Sequence, residues 1–395
     1  MFAERTNWNL APNRLSEALA AHRAAGKPLL DLTVSNPTQC GFQYDGPAIL
    51  ESLSNPAALT YEPNPKGLES ARRAVAGYYA ARRDDVSLEN ILLTTSTSEA
   101  YSYVFRTLCN PGDELLIPQP GYPLLDFLAD IQDVHLVRYP LVYFEGDPKA
   151  ANDHEWRIDF HSLEQAITPR TRGVVVVHPN NPTGNFAKAP EMVKLNDICS
   201  AREIAIIADE VFLDFSLEEN PRASFATNPG ALTFTMSGLS KICGLPQMKA
   251  AWLVVGGPAQ WKREALARLE VIADTFLSIN APVQLAIPVL LEQRHAFQKQ
   301  LMSRIRRNLT ELDRQLAGQK VCTRLAVEGG WYAVLRVPAT RPDEDLAMNL
   351  LSKRGLYLHP GHLYDFPSDG YLIVSLITKE ANFSRAITEL LESLT

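Results

Sequence analysis

Residues 173–177 (Gly-Val-Val-Val-Val) are apolar throughout, and residues 204–208 repeat that pattern after one turn and one helical segment. A strand that is apolar at every position has no face left for water, so it belongs in a sheet covered on both sides. Parallel sheets have this property, because each crossover between neighbouring strands lays a helix on one face. The alternation recurs along the chain. Strand patterns at 90–95, 114–117 and 135–139 are interleaved with helical patterns at 68–83, 98–109 and 124–131, and later with helices at 160–167 and 191–202. From about residue 257 long helical segments take over (261–275, 296–316), and the last hundred residues mix helices with short strands at 331–337 and 371–377. The expected architecture is α/β: a large domain at 45–280 around a mostly parallel central sheet, and a smaller α+β domain built from 1–44 and 281–395.

Composition narrows the function classes. The net charge of −7 and the absence of a basic run argue against nucleic acid as a partner, since phosphate binding draws on an excess of Lys and Arg. The five cysteines, Cys40, Cys109, Cys199, Cys243 and Cys322, form no CxxC pair and no His/Cys cluster, so neither a disulfide framework nor a metal site is expected. The opening MFAERTNWNLAPNRL has no basic stretch followed by an apolar core, and no segment is apolar for long enough to span a membrane. A cytoplasmic protein with reduced thiols is expected.

In an open α/β sheet, ligands gather beyond the carboxyl ends of the strands. The loops that follow those ends here are polar. Ser96-Thr97-Ser98 opens a helix, where hydroxyls and free N–H groups make either an anion cradle or an ordinary N-cap beside Glu99. Tyr122, in Pro120-Gly121-Tyr122-Pro123, is a core aromatic or a platform for a flat ligand. Asn180-Asn181-Pro182-Thr183-Gly184 is a Pro/Gly turn with two amides to spare. Asp209-Glu210 ends an apolar strand, where a carboxylate needs a donor or a cation. Finally, Lys241 lies between apolar segments at 231–236 and 250–255. A lysine so placed either snorkels to water or is buried and loses its proton, the state that Schiff-base chemistry uses.

The order and spacing of these elements are more specific than any one of them. Asn181-Pro182-Thr183-Gly184 begins 28 residues before Asp209, and Ser240-Lys241 ends 32 residues after it, with Lys249 eight further on. Over nearly its whole length, from Asp31 onward, the chain resembles the fold-type I pyridoxal-phosphate enzymes, specifically the class I/II aminotransferase superfamily with its aspartate aminotransferase-like fold. The resemblance implies the cofactor pyridoxal 5'-phosphate, held covalently by Lys241, which also shuttles a proton. It implies Asp209 as partner of the pyridine nitrogen, Asn181 as donor to the phenolic oxygen and Tyr122 as the stacking aromatic. Thr97, Ser98, Ser237, Ser240 and Lys249 are implied at the phosphate. Tyr61 is implied to reach the phosphate of a neighbouring subunit, hence a homodimer with shared active sites. Gly329-Gly330-Trp331-Tyr332 and Pro360-Gly361 are implied to border the substrate.

Three positions depart from the family pattern. Lys249 stands where arginine is usual, Phe212 where tyrosine is usual, and the strand at 370–377 has no arginine to clamp a substrate carboxylate. Lys66, His362 or backbone N–H groups near Ser35-Asn36 are the alternatives for that task; otherwise the substrate's amine lies on a carbon that bears no carboxylate. The reading is a transaminase that moves an amino group between a small-molecule amino donor and a keto acceptor by ping-pong half-reactions. Lyase-type chemistry on the same cofactor and a non-catalytic binding module are the competing readings.

Overall fold

The computed structural model describes all residues but Leu124, 147–153, 219–221 and Thr395. An eight-stranded sheet carries the large lobe: β1 (Ile91–Thr94), β2 (Glu114–Gln119), β3 (His135–Phe144), β4 (Glu155–Ile158), β5 (Thr171–Val177), β6 (Ala205–Asp209), β7 (Thr233–Gly238) and β8 (Ala251–Gly256). Their spatial order is β1-β8-β7-β6-β5-β2-β3-β4. The pairs β7/β6, β6/β5, β5/β2 and β2/β3 are parallel.

Alternation of side chains explains the apolar runs. Val175, Val177 and Ile207 enter one core with Phe234, Leu253 and Val255, beneath helices α1 (Thr97–Leu108) and α2 (Ala259–Phe276). Val174, Val176, Ile206 and Ala208 enter a second core on the opposite face, with Leu195 and Cys199 of the helix Ala189–Arg202. Both faces of every central strand are therefore dry, as a parallel sheet demands.

Two departures from the sequence expectation have physical causes. The strand β8 runs antiparallel to β7, with Gly238 opposite Ala251. Only a short turn and two brief helical pieces, Leu239–Ile242 and Pro246–Met248, separate them, so no full crossover helix intervenes. The segment Glu155–Ile158, irregular by its sequence, is an edge strand paired to the tail of β3; only Trp156 and Ile158 are buried, too few positions to show a period. The helix expected at 124–131 is observed at Leu125–Asp130, and its first expected residue lies outside the described residues.

The smaller sheet pairs β9 (Tyr332–Arg336) with β11 (Tyr371–Ser375), which also pairs with the two-residue β10 (His359–Pro360). The N-terminal strand Leu30–Asp31 runs parallel to Leu356–Tyr357, tying the start of the chain to its end. Helix Ala281–Glu292 packs on Glu69–Ala81 through Val283, Ile287 and Leu290. Among the described residues no helix is long and apolar enough to cross a membrane.

The joint between the two sheets runs through Gly184. Its carbonyl accepts from the N–H groups of Glu328 (3.1 Å) and Gly329 (2.9 Å), so the loop after β5 holds the chain that enters β9. Its φ is +73°, and a Cβ there would lie 2.4 Å from Val327 Cγ2 and 2.6 Å from the Gly329 carbonyl. Only glycine meets both demands. The variant Gly184→Ala is therefore expected to lose about 1–3 kcal/mol in urea unfolding; a stability within 0.5 kcal/mol of wild type, roughly the size of a neutral surface change, would show that the joint is soft.

Candidate active site

Because β1, β2, β5, β6 and β7 all run the same way, their carboxyl ends share one edge. The antiparallel β8 starts from that edge, which returns Lys249 to it. Each candidate residue except Tyr61 is placed there by the strand before or after it.

Lys241 sits in the helical turn Leu239–Ile242, pinned by Leu239 and Ile242, both fully buried. The lysine itself is half-buried, its Nζ 4.8 Å from the centre of the Trp331 ring and 5.6 Å from that of Phe212. Burial pulls its pKa down to about 8, against the opposing pull of Asp209. A substantial neutral fraction at mildly alkaline pH is what a nucleophilic amine requires.

Asp209 ends β6. Its Oδ1 accepts from the Val211 N–H (3.1 Å) and its Oδ2 from the Tyr101 hydroxyl (3.1 Å). Burial pushes its pKa up to about 6, offset in part by those two bonds and by Lys241. The carboxylate is thus ionised at neutral pH and has a cation as its natural partner.

At the start of α1 the sequence left a cap and an anion cradle as alternatives, and the geometry accommodates both. Ser96 Oγ accepts from the Glu99 N–H (3.1 Å), and the Glu99 carboxylate accepts from the Thr95 N–H (2.7 Å) and the Ser278 hydroxyl (2.8 Å). The cap being made by Ser96, the N–H groups and hydroxyls of Thr97 and Ser98 are free of protein partners at the positive end of the helix. Ser237 donates to the Glu210 carbonyl (3.3 Å), whereas Ser240 keeps its hydroxyl free. Lys249 is exposed, forms no ion pair with a described residue, and holds a left-handed backbone at φ 51°. A non-glycine residue in that region costs of order 1 kcal/mol, so the fold places this cation at some expense.

In the loop after β5, Asn180 Nδ2 donates to the Pro120 carbonyl (3.0 Å) and to Thr183 Oγ1 (2.8 Å). Asn181 is buried with its amide oxygen unbonded. Tyr122 is 42% exposed; burial, then Tyr332 and Asp209, push its phenol up to about 12, so both groups lie near it. Tyr61 is 79% exposed and joins none of these residues. It lines a separate cavity of about 300 Å³ with Leu59 and Leu277.

Two of the departures are placed directly. Phe212, buried, meets Trp331 edge to face at 4.9 Å and offers no hydroxyl. The strand at 370–377 contains β11 and has no cation on either face, Leu372 and Val374 on one, Tyr371, Ile373 and Ser375 on the other. Lys66 is drawn to Glu89 (3.3 Å) and Glu270 (3.6 Å), His362 is exposed, and the backbone N–H groups of Ser35 and Asn36 have no partner among the described residues.

Tyr101 was not legible as a functional residue. The available signal was its position one turn after Thr97, which places it on the same helix face.

The residues fit a phosphorylated pyridine aldehyde on four counts: a cradle of unpartnered N–H and hydroxyl groups, a free cation beside it, a buried amide with spare bonding capacity, and a carboxylate opposite a depressed lysine. A model of aminotransferase class I and II matches residues 29–390. The chain belongs to that family. Class I/II aminotransferases depend on pyridoxal phosphate, and this protein is a pyridoxal-phosphate-dependent aminotransferase of the aspartate aminotransferase-like fold. It is 28% identical over 364 residues to glutamate-pyruvate aminotransferase AlaA of Escherichia coli, covering 89% of this chain and 87% of that protein. It is 27% identical to an alanine aminotransferase of Mycobacterium tuberculosis, covering 93% and 86%. Among solved structures, an alanine aminotransferase of Pyrococcus furiosus aligns over 100% of this chain and 99% of its own, with a TM-score of 0.88 and 20% identity.

The Tyr101 bond has a pH signature. It favours the ionised form of Asp209, so removing it raises the pKa above about 6 and leaves more of the carboxyl protonated at pH 7. In Tyr101→Phe, isotope-edited infrared spectra of the cofactor-free protein should show the Asp209 carboxylic-acid band titrating about 0.5–1 pH unit higher than in wild type. An unchanged titration would mean that the bond does not act on Asp209.

Proposed function

We propose that Lys241 carries the cofactor and the proton in amino transfer between a small-molecule amino donor and a keto acceptor, through ping-pong half-reactions. The observation that supports this most strongly is the single opposed pair at the shared strand edge: Lys241, depressed to about 8, and Asp209, raised to about 6. When bound, pyridoxal phosphate supplies a carbonyl for the donor's amine and a ring that accepts electron density from the amino-bearing carbon. Asp209 holds a negative charge for the ring nitrogen, which keeps that nitrogen protonated. The Lys241 amine, displaced by the donor, is the base that takes the proton from the amino-bearing carbon. Asn181 donates its amide N–H to the phenolic oxygen, alone in this role because Phe212 has no hydroxyl. Tyr122 covers one ring face, and Thr97, Ser98, Ser240 and Lys249 take the phosphate, with Ser237 behind them. Lys249 supplies charge there but no planar fork, so the N–H groups of α1 carry more of the orientation.

A homodimer with shared sites is part of this reading. Leu59 (92% exposed) and Tyr61 stand on a loop beside the exposed Phe276 and Leu277, an apolar surface that a second copy would cover and from which Tyr61 would reach the partner's phosphate. A cytoplasmic setting accords with the five free thiols. We divide the lobes at 45–280 and at 1–44 with 281–395, Ala281–Glu292 serving as the helix that leans back on the large lobe.

Borohydride reduction of the holoenzyme followed by peptide mapping should place the cofactor on Lys241, and donor without acceptor should convert it to pyridoxamine phosphate; label on Lys249 would reassign the anchor. Sedimentation should report a dimer at micromolar concentration, and Tyr61→Ala should weaken cofactor retention although Tyr61 lies outside its own chain's site. A monomer that retains the cofactor fully would refute the shared sites.

A further inference from the structure

The charges around Lys241 and Asp209 are few. Among the described residues, the charged group acting on Lys241 is Asp209, and the one acting on Asp209 is Lys241. Among the described residues, Lys66 is paired with Glu89 and Glu270, Arg138 with Asp126 and Asp365, Lys188 with Glu328, and Arg304 with Glu380. Lys249, which forms no ion pair with a described residue, belongs to the phosphate end in the reading above, on which this inference rests; Lys379 also forms none, and it lies exposed against Gly41 after β11.

The wall facing Lys241 from the smaller sheet is uncharged. Tyr332 lies 6.5 Å from Phe212, ring to ring, and opposes Ser375 across β9 and β11, so Ile373 and Ser375 share its face. Ser375 Oγ donates to the Val34 carbonyl at 2.6 Å. His359, opposite Ile373, shares a hydrogen bond with the Tyr364 hydroxyl through Nδ1 (3.0 Å), and burial lowers its pKa against the opposing pull of Asp31. Phe212 and Ile373 are buried and apolar, and Trp331 is a buried aromatic whose indole N–H has no hydrogen-bond partner among the described residues. A carboxylate on the amino-bearing carbon would arrive here without a counter-charge, and an unpaired buried anion is strongly disfavoured. An uncharged substituent gains from the same aromatic surface.

We propose that the preferred substrate of this site is a primary amine whose amino-bearing carbon carries an apolar or aromatic substituent and no carboxylate, with the matching aldehyde or ketone in the return half-reaction. The amine nitrogen and two electrons pass to the lysine-bound cofactor. One water supplies the oxygen of the carbonyl product, Lys241 is released as a free amine, and the cofactor leaves the half-reaction as pyridoxamine phosphate. The amino acids in the names of the relatives are thus not this chain's best donors.

The test uses matched pairs that differ only in the carboxylate, 2-phenylethylamine against L-phenylalanine and 3-methylbutylamine against L-leucine, with loss of the holoenzyme's visible cofactor band as readout. The amine of each pair should react roughly tenfold faster or more. In Ile373→Arg, which adds a cation to the Tyr332 face, the ratio should move toward the amino acid by about tenfold. Faster reaction of the amino acids in wild type, or reaction of neither member, overturns the inference whether or not that variant folds. Borohydride labelling of Lys241 on the same preparation separates the two levels: label present with the wrong preference sinks only the substrate class, whereas label absent sinks the functional reading beneath it.

Discussion

The opposed charges of Lys241 and Asp209 depend on being removed from water together. Alone in an aromatic niche the lysine would discard its proton, and the aspartate alone at the edge of an apolar core would take one up. Burial moves both toward their neutral forms, and the bonds to Asp209 and the attraction between the two groups hold them at about 8 and about 6, near neutral pH. The Tyr101 hydroxyl and the Val211 N–H tune the acid, and Trp331 and Phe212 keep water from the base.

The fold supplies that proximity by direction. Parallel strands joined by helices end on one edge, so residues separated by dozens of positions in sequence become neighbours without any contact between their own segments. The reversal of β8 against β7 returns the chain to the edge within a few residues of Lys241 and sets Lys249 there in a backbone conformation that lysine rarely adopts. The smaller sheet is then held against the edge by polar seams. The Gly184 carbonyl binds Glu328 and Gly329, and the Tyr364 carbonyl accepts from Gly121 at 3.0 Å. Through these seams the segment carrying Trp331 and Tyr332 is positioned by the cofactor-side loops themselves.

The fold is shared with a solved structure at 20% identity, and the family with relatives at 27–28%. Lys249 stands where the family usually has arginine, Phe212 where it usually has tyrosine, and β11 carries no cation. In the proposed reading the groups that manage protons and electrons match the family pattern, while those assigned to the rest of the ligand depart from it. Chemistry at the amino-bearing carbon constrains its residues tightly; a wall that only has to fit a substituent is free to change.

The apolar runs at 173–177 and 204–208 were enough to imply a doubly covered parallel sheet, because a strand without a polar face has no other stable setting. The loop motifs at Asn181, Asp209 and Lys241 were readable for the same local reason, since their spacing follows from strand and helix lengths. The antiparallel turn of β8, the edge strand at Glu155–Ile158, the bond from Tyr101 to Asp209 and the pairing that puts Tyr332 and Ile373 on one face were not readable. Each is a pairing between segments distant along the chain, and no periodicity within either segment records its partner. Sequence alone determined which chemistry this protein carries; the neighbours of Lys241, and hence the ionisation of its amine and the character of the space before it, were decided by tertiary packing, because burial and charge proximity exist only once the chain is folded.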